Sequence, residues 1–125
     1  DCPVIFRQAP IVEEWIDARE RAGETFLAIG DFNRILDPND SEVWLTWDDL
    51  DPAGLDLHVA AHEAVGGPIS PACNNGRYKQ FIDHIVMSDR AAKRWDRSSF
   101  RELVYDEVDE EKPSDHCPVA ITITK

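Results

Sequence analysis

No apolar run in these 125 residues approaches the roughly 18–20 that a membrane-spanning helix needs. No basic stretch leads into an apolar segment near the start, so no signal peptide is visible. The opening Asp1-Cys2-Pro3-Val4 reads instead like the interior of a longer chain, and the compartment of the full-length protein is left open. Basic residues are scarce. Thirteen lysines and arginines face 25 acidic residues, for a net charge of −12. Such a surface repels polyanions at long range, so a phosphate-bearing ligand needs a local basic patch or a bridging cation. Cysteine is sparse as well. Cys2, Cys73 and Cys117 form no C-x-x-C pair, which excludes the usual spaced metal or redox motifs. If the full-length protein is secreted, the odd count points to a partner lost upstream, with Cys2 as the candidate. Cys117, in an apolar context, reads as a buried hydrophobe.

What is present suits one globular domain: 42% hydrophobic and 30% charged residues, with no internal repeat and no low-complexity tract. Pro10 to Gly23 has helical periodicity. Ile11, Val12, Trp15, Ile16, Ala18 and Ala22 make an apolar stripe, and Glu13, Glu14, Asp17 and Arg21 face outward. Pro10 suits the first helical turn and Gly23 the stop. Thr25 to Ile29 reads as a strand buried on both faces. After a turn at Asp37-Pro38-Asn39-Asp40 comes a helix over Ser41 to Leu50, capped by Asp40 or Ser41. Leu55 to Val59 is a short strand, and Gly66 to Tyr78 a loop rich in Gly, Pro and Asn. Phe81 to Met87 reads as a buried strand, Asp89 to Trp95 as a short helix, and Phe100 to Tyr105 as a weak strand. The acidic Asp106 to Lys112 is a solvated loop, and Pro118 to Thr124 a closing strand. Strands alternating with helices give an α/β class. Some connections are too short for helical crossovers, so the expected sheet is mixed and mostly antiparallel, with flanking helices.

Three motifs place polar side chains where an apolar strand meets a loop, the usual display position for reactive groups in an α/β sheet. In Gly30-Asp31-Phe32-Asn33, Asp31 and Asn33 point to one side of an extended chain and Phe32 to the other. A carboxylate beside an amide can hold a water and a phosphate oxygen together; the plainer alternative is an Asx turn after a strand. In Ile82-Asp83-His84-Ile85 an acid interrupts a buried strand. An isolated carboxylate is costly there, so Asp83 needs a partner: a structural Arg or amide, or a histidine whose tautomer it fixes. His84 points to the opposite face and reads as structural or rim. In Ser114-Asp115-His116-Cys117-Pro118, Asp115 and His116 cannot point the same way, which suits two separate tasks, metal ligand and base; the plainer alternative is a polar loop with an N-cap-like Ser114.

GDFN, then IDHI about fifty residues on, then SDHCPV just before a final strand resembles the ordered signature of the endonuclease/exonuclease/phosphatase superfamily. The likeness is to deoxyribonuclease- and abasic-endonuclease-like members and covers essentially the whole chain. It implies the C-terminal half of a four-layer α/β/β/α sandwich, with residues 1–125 forming that half and the N-terminal half absent. By the same resemblance, Asp31 acts on the attacking water or leaving group and contributes to the metal. Asn33 binds the scissile phosphate, Asp83 holds the catalytic His116, and Asp115 helps hold the ion. The implied cofactor is Mg²⁺, with Mn²⁺ as a substitute, since hard oxygen ligands favour these ions.

The activity so implied is metal-dependent hydrolysis of a phosphoester, with DNA or RNA as first candidate and a phospholipid or inositol phosphate as alternative. Arg77, Tyr78 and Lys79 combine basic and aromatic side chains before the Asp83 strand and form the local candidate for substrate contact. The metal-binding Glu of the family's first half has no counterpart here; Glu13, Glu14 and Glu20 read as exposed helix residues. Two other enzyme classes fit worse. His58 and His62, four apart as on one helix face, do not form H-E-x-x-H, and Ser114 lacks a G-x-S-x-G elbow. The remaining rival is a half-domain without turnover, which would pair with its missing half or with a second copy.

Overall fold

In the computed structural model, described for residues 3–37, 42–49, 56–67, 70–73, 79–105, 114 and 116–125, four helices and five strands alternate along the chain. Helix α1 spans Pro3–Arg21 and α2 spans Glu42–Trp47. Short α3 and α4 cover Ala60–Glu63 and Asp89–Ala92. Strands β1 (Leu27–Asp31), β2 (Leu57–Val59) and β3 (Asp83–Ser88) form one sheet in the order β1-β3-β2. Strands β4 (Trp95–Glu102) and β5 (Val119–Ile123) form a second. Every strand pair among the described residues is antiparallel, where a mixed sheet was expected. β3 runs opposite to both of its neighbours, and none of these connections is the right-handed helical crossover that a parallel pair requires.

Helix α1 begins seven residues earlier than the sequence suggests, so Pro10 lies inside it rather than in its first turn. Proline there removes one backbone donor, and packing carries the helix through it. The buried stripe is also rotated from the expected one. It runs through Ala9, Ile16 and Glu20, with Ile5, Phe6 and Val12 against the core, and Ile11 and Ala18 are exposed. The tie that sets this rotation is Trp47, whose Nε1 donates to Ala9 O across the α1–α2 contact at 3.0 Å. Glu20 is therefore buried, at 7% exposure, and Glu13 is partly buried, contrary to the outward placement read from the sequence. The helix stops at Gly23, φ +71°, with Glu24 N donating to Arg19 O and Gly23 N to Glu20 O, the left-handed ending that glycine adopts without strain.

The strand register divides the first sheet into two faces. Val86, Val59 and Leu57 share one face and pack with α1 and α2 around Leu36, Val43, Trp44 and Trp47. Ile85 and Met87 share the other and pack with α3, α4, Trp95 and Phe100, with β5 alongside. Ser88 ties the layers. Its Oγ accepts from Phe26 N and caps α4 by accepting from Ala91 N. Strand β1 is an edge strand and is not buried on both faces. Leu27 and Ile29, register partners of Met87 and Ile85, are 39% and 63% exposed because the second layer covers β3 and leaves β1 open. Residues 38–40 of the expected Asp37–Asp40 turn and most of the Gly66–Tyr78 loop lie outside the described residues, as does the acidic stretch from Asp106 to Lys112.

Two of the three cysteines are joined. Cys73 and Cys117 form a disulfide, so Cys117 is buried as half of a cross-link and not as a free hydrophobe. Closing a loop of 44 residues removes roughly 4 kcal/mol of chain entropy from the unfolded state in the loop-closure treatment.

Candidate active site

The β1–β3 register brings the first two motifs together. Asp31 and Asp83 end their strands as Cα partners, on one face of the sheet. Phe32 N donates to Ile82 O at 2.9 Å, which continues the pairing by one step and turns Phe32 against Trp47 and His84. Asn33 follows in the left-handed region at φ +50°, a conformation asparagine tolerates better than most residues. There its backbone N donates to Asp31 Oδ1 at 2.7 Å and its Nδ2 to Asp31 Oδ2 at 2.8 Å. The Asx turn and the paired carboxylate–amide are thus one structure rather than alternatives.

The third motif completes the group from the start of β5. His116 Nδ1 lies 2.8 Å from Asp83 Oδ2 and 3.0 Å from Oδ1. With Asp83 ionised, Nδ1 carries the proton and donates it, which leaves Nε2 to face Asp31 Oδ2 at 3.8 Å. Asp31, Asp83 and His116 present ligand atoms within 4.8 Å of one another. His116 N donates to Ser114 Oγ at 3.1 Å, holding the turn that carries the ring. All three side chains are partly open to solvent, as groups that meet a ligand must be.

The group sits where two clefts meet at Asp31. One, of about 350 Å³, runs between β1 and the start of β5 past Asp83, His116, Ser114 and Tyr105. The other, of about 630 Å³, runs under α1 past Asn33, Phe32 and Trp47. Tyr105 had no signal in the sequence beyond its place at the end of an expected weak strand. Lys79 is exposed and lines neither cleft. Arg77, Tyr78 and Asp115 lie outside the described residues.

The histidines outside the group are structural. His84, 1% exposed, contacts Arg34 O through Nε2 at 2.8 Å on the opposite face from Asp83, and burial pushes its pKa down to about 4. His58 belongs to β2 and His62 to α3, so they do not share a helix face as their spacing suggested. His58 Nδ1 instead meets Glu63, whose hydrogen bond raises its pKa, and Glu63 also pairs with Arg97. The other close trio, Cys73, Glu102 and Cys117, offers no metal site, because its two sulfurs are bonded to each other.

A family model described as the Endonuclease/Exonuclease/phosphatase family matches residues 7–116. The chain belongs to that family. The matched span runs from α1 through His116, so it contains Asp31, Asn33 and Asp83 together with the histidine they surround. Endonuclease/exonuclease/phosphatase proteins generally hydrolyse phosphoester bonds and typically depend on a divalent metal. No curated protein and no solved structure matches the chain at a significant level.

Proposed function

We propose that this chain carries the base-bearing half of a phosphodiesterase site acting on nucleic acid. The observation that carries the reading is the alignment of Asp83, the His116 ring and Asp31. Asp83 fixes the imidazole as the Nδ1–H tautomer, which leaves Nε2 basic and directed into the cleft. A water or leaving-group oxygen between Nε2 and Asp31 can exchange a proton with either. Asn33 Nδ2 has two donor hydrogens. One is engaged by Asp31, and the other is available to a phosphate oxygen.

The donor set suits a hard divalent ion. Asp31 offers carboxylate oxygens at the edge of both clefts, and Asp115, one residue before His116, supplies another acid by the family pattern. Bound there, Mg²⁺ or Mn²⁺ would neutralise the phosphate oxygens and stabilise charge as the ester breaks. It would also reconcile a −12 chain with an anionic substrate. Arg77, Tyr78 and Lys79 are proposed to meet the substrate beyond the phosphate.

A second reading has its own support. Leu27 and Ile29 leave an apolar strip of sheet uncovered beside the site, which fits residues 1–125 as half of an α/β/β/α sandwich awaiting its other half or a second copy. In that case turnover requires the partner. Nicking of supercoiled plasmid with Mg²⁺ tests the proposal, beside His116→Ala. Cleavage abolished by EDTA and by the substitution is expected. Cleavage of short-chain phospholipid or inositol phosphate with no nicking overturns the nucleic-acid assignment, and no cleavage of any of the three favours the second reading.

A further inference from the structure

The segment carrying His116 is held from a direction that the proton-transfer group does not explain. Cys117, the next residue, is buried and disulfide-bonded to Cys73. Cys73 is itself anchored. The Glu102 carboxylate, at the end of β4, accepts from Ala72 N at 2.7 Å and from Cys73 N at 3.2 Å. Glu102 also pairs with Val119 in the β4–β5 ladder, and Leu103 N donates to Pro118 O at 2.8 Å just beyond it. Residues 117 and 118 are thus fixed on one side to β4 directly and on the other to β4 through Cys73 and Glu102.

We infer that the Cys73–Cys117 disulfide and Glu102 form a clamp that positions His116 against Asp83, so that the proton-transfer geometry depends on the oxidised state of this cysteine pair. The physical reason is leverage. His116 sits on a partly exposed turn three residues before β5, where its amide meets Ser114 Oγ and its ring nitrogens meet Asp83 and Asp31. A covalent link at 117 tethers the backbone itself, provided the far end is immobile, and a carboxylate accepting two amides makes it so. Glu102 and the two cysteines are positioning residues, since they act on the imidazole through the backbone beside it, although Cys117 also lines the cleft. The inference rests on the site reading above.

The test reads His116 directly. In the ¹⁵N-labelled oxidised chain, the long-range imidazole spectrum should show His116 as a single Nδ1–H tautomer, a signature that Asp83→Asn removes. Reduction with dithiothreitol, or the Cys73→Ala/Cys117→Ala double substitution, should average the tautomers while the β1 and β3 amide signals stay in place. Reoxidation should restore the signature. Where cleavage is measurable, kcat should fall about 10²-fold with KM little changed, the scale of a misplaced catalytic group. A single tautomer that persists through reduction overturns the clamp, since the β4–β5 ladder would then suffice. Should the reduced chain unfold, Glu102→Ala decides: it keeps the disulfide and frees the 72–73 amides, and an unchanged His116 overturns the inference. Averaged tautomers in the oxidised wild type would instead sink the site reading, and the clamp with it.

Discussion

Asp31 and Asp83 occupy paired positions at the ends of β1 and β3, and His116 spans them, Nδ1 toward Asp83 and Nε2 toward Asp31. The two acids are register partners but differ in surroundings: Asp31, on the edge strand, accepts from Asn33 and faces Nε2, while Asp83, on the central strand, meets Nδ1. That asymmetry assigns orientation to Asp83 and the reacting side to Asp31. Asp83→Asn keeps the shape and lets the amide donate to Nδ1, which favours the wrong tautomer. Hydrolysis should fall about 10²- to 10⁴-fold in kcat, with KM and thermal stability nearly unchanged. Steady-state kinetics beside a melting curve check this, and an equal loss of stability would recast Asp83 as structural.

Asn33 combines a backbone and a side-chain role that two substitutions separate. Both Asn33→Ala and Asn33→Gly lose the side-chain bond to Asp31 and keep the backbone donor, but at φ +50° only the alanine carries left-handed strain, of roughly 1 kcal/mol. Urea unfolding should place Gly above Ala in stability. Both should lose phosphodiester hydrolysis to the same extent if the amide meets the phosphate. Activity that follows stability instead would make Asn33 a turn residue only.

The three motifs were legible because each sets polar residues at a strand end where the apolar pattern breaks. Spacing along the chain already put Asp31, Asp83 and His116 in one order. Pairing across the sheet was not legible. Nothing local says that Cys117 meets Cys73 rather than staying free, since a disulfide depends on the distance between two loops. The face of α1 was misread for a similar reason. Trp15 and Ile11 are as apolar as Ile16, and only the Trp47–Ala9 bond to a distant helix turns Glu20 inward. The exposure of Ile29 was hidden too, because a local run of apolar residues cannot report whether a strand lies at an edge.

That exposure carries its own consequence. Leu27 and Ile29 project from the open part of the sheet face, beside the cleft that holds His116. An isolated chain should bury them by self-association. Sedimentation velocity should show a concentration-dependent species larger than a monomer, and Ile29→Lys should shift the distribution toward monomer without unfolding the chain, since the residue is already solvated. A wild-type chain that stays monomeric at high concentration would count against an uncovered half-sandwich.

His84 should give the fold a pH dependence of definite sign. Its pKa lies at about 4 in the folded state against about 6.5 when unfolded, because burial opposes the charged ring. Between those values the unfolded chain binds a proton that the folded chain does not, so stability falls as pH drops from about 6.5 to 4 and levels off below. The shift corresponds to roughly 3 kcal/mol at most. Other groups run the opposite way. Glu20 is raised to about 7 by burial and by neighbouring acids, and His58 is raised by Glu63; each contributes stability at low pH that is lost as pH rises through its folded pKa. The bulk pH profile therefore mixes signs, and a difference measurement isolates the histidine. His84→Phe removes the titration along with the Arg34 contact, so wild type should exceed the variant most at pH 7, with the gap narrowing toward pH 4. A gap independent of pH would mean that His84 titrates alike in the folded and unfolded chains, so that below about pH 6.5 the ring is protonated in place. Arg34 O would then accept from a cationic ring, and the face opposite Asp83 would carry a charge.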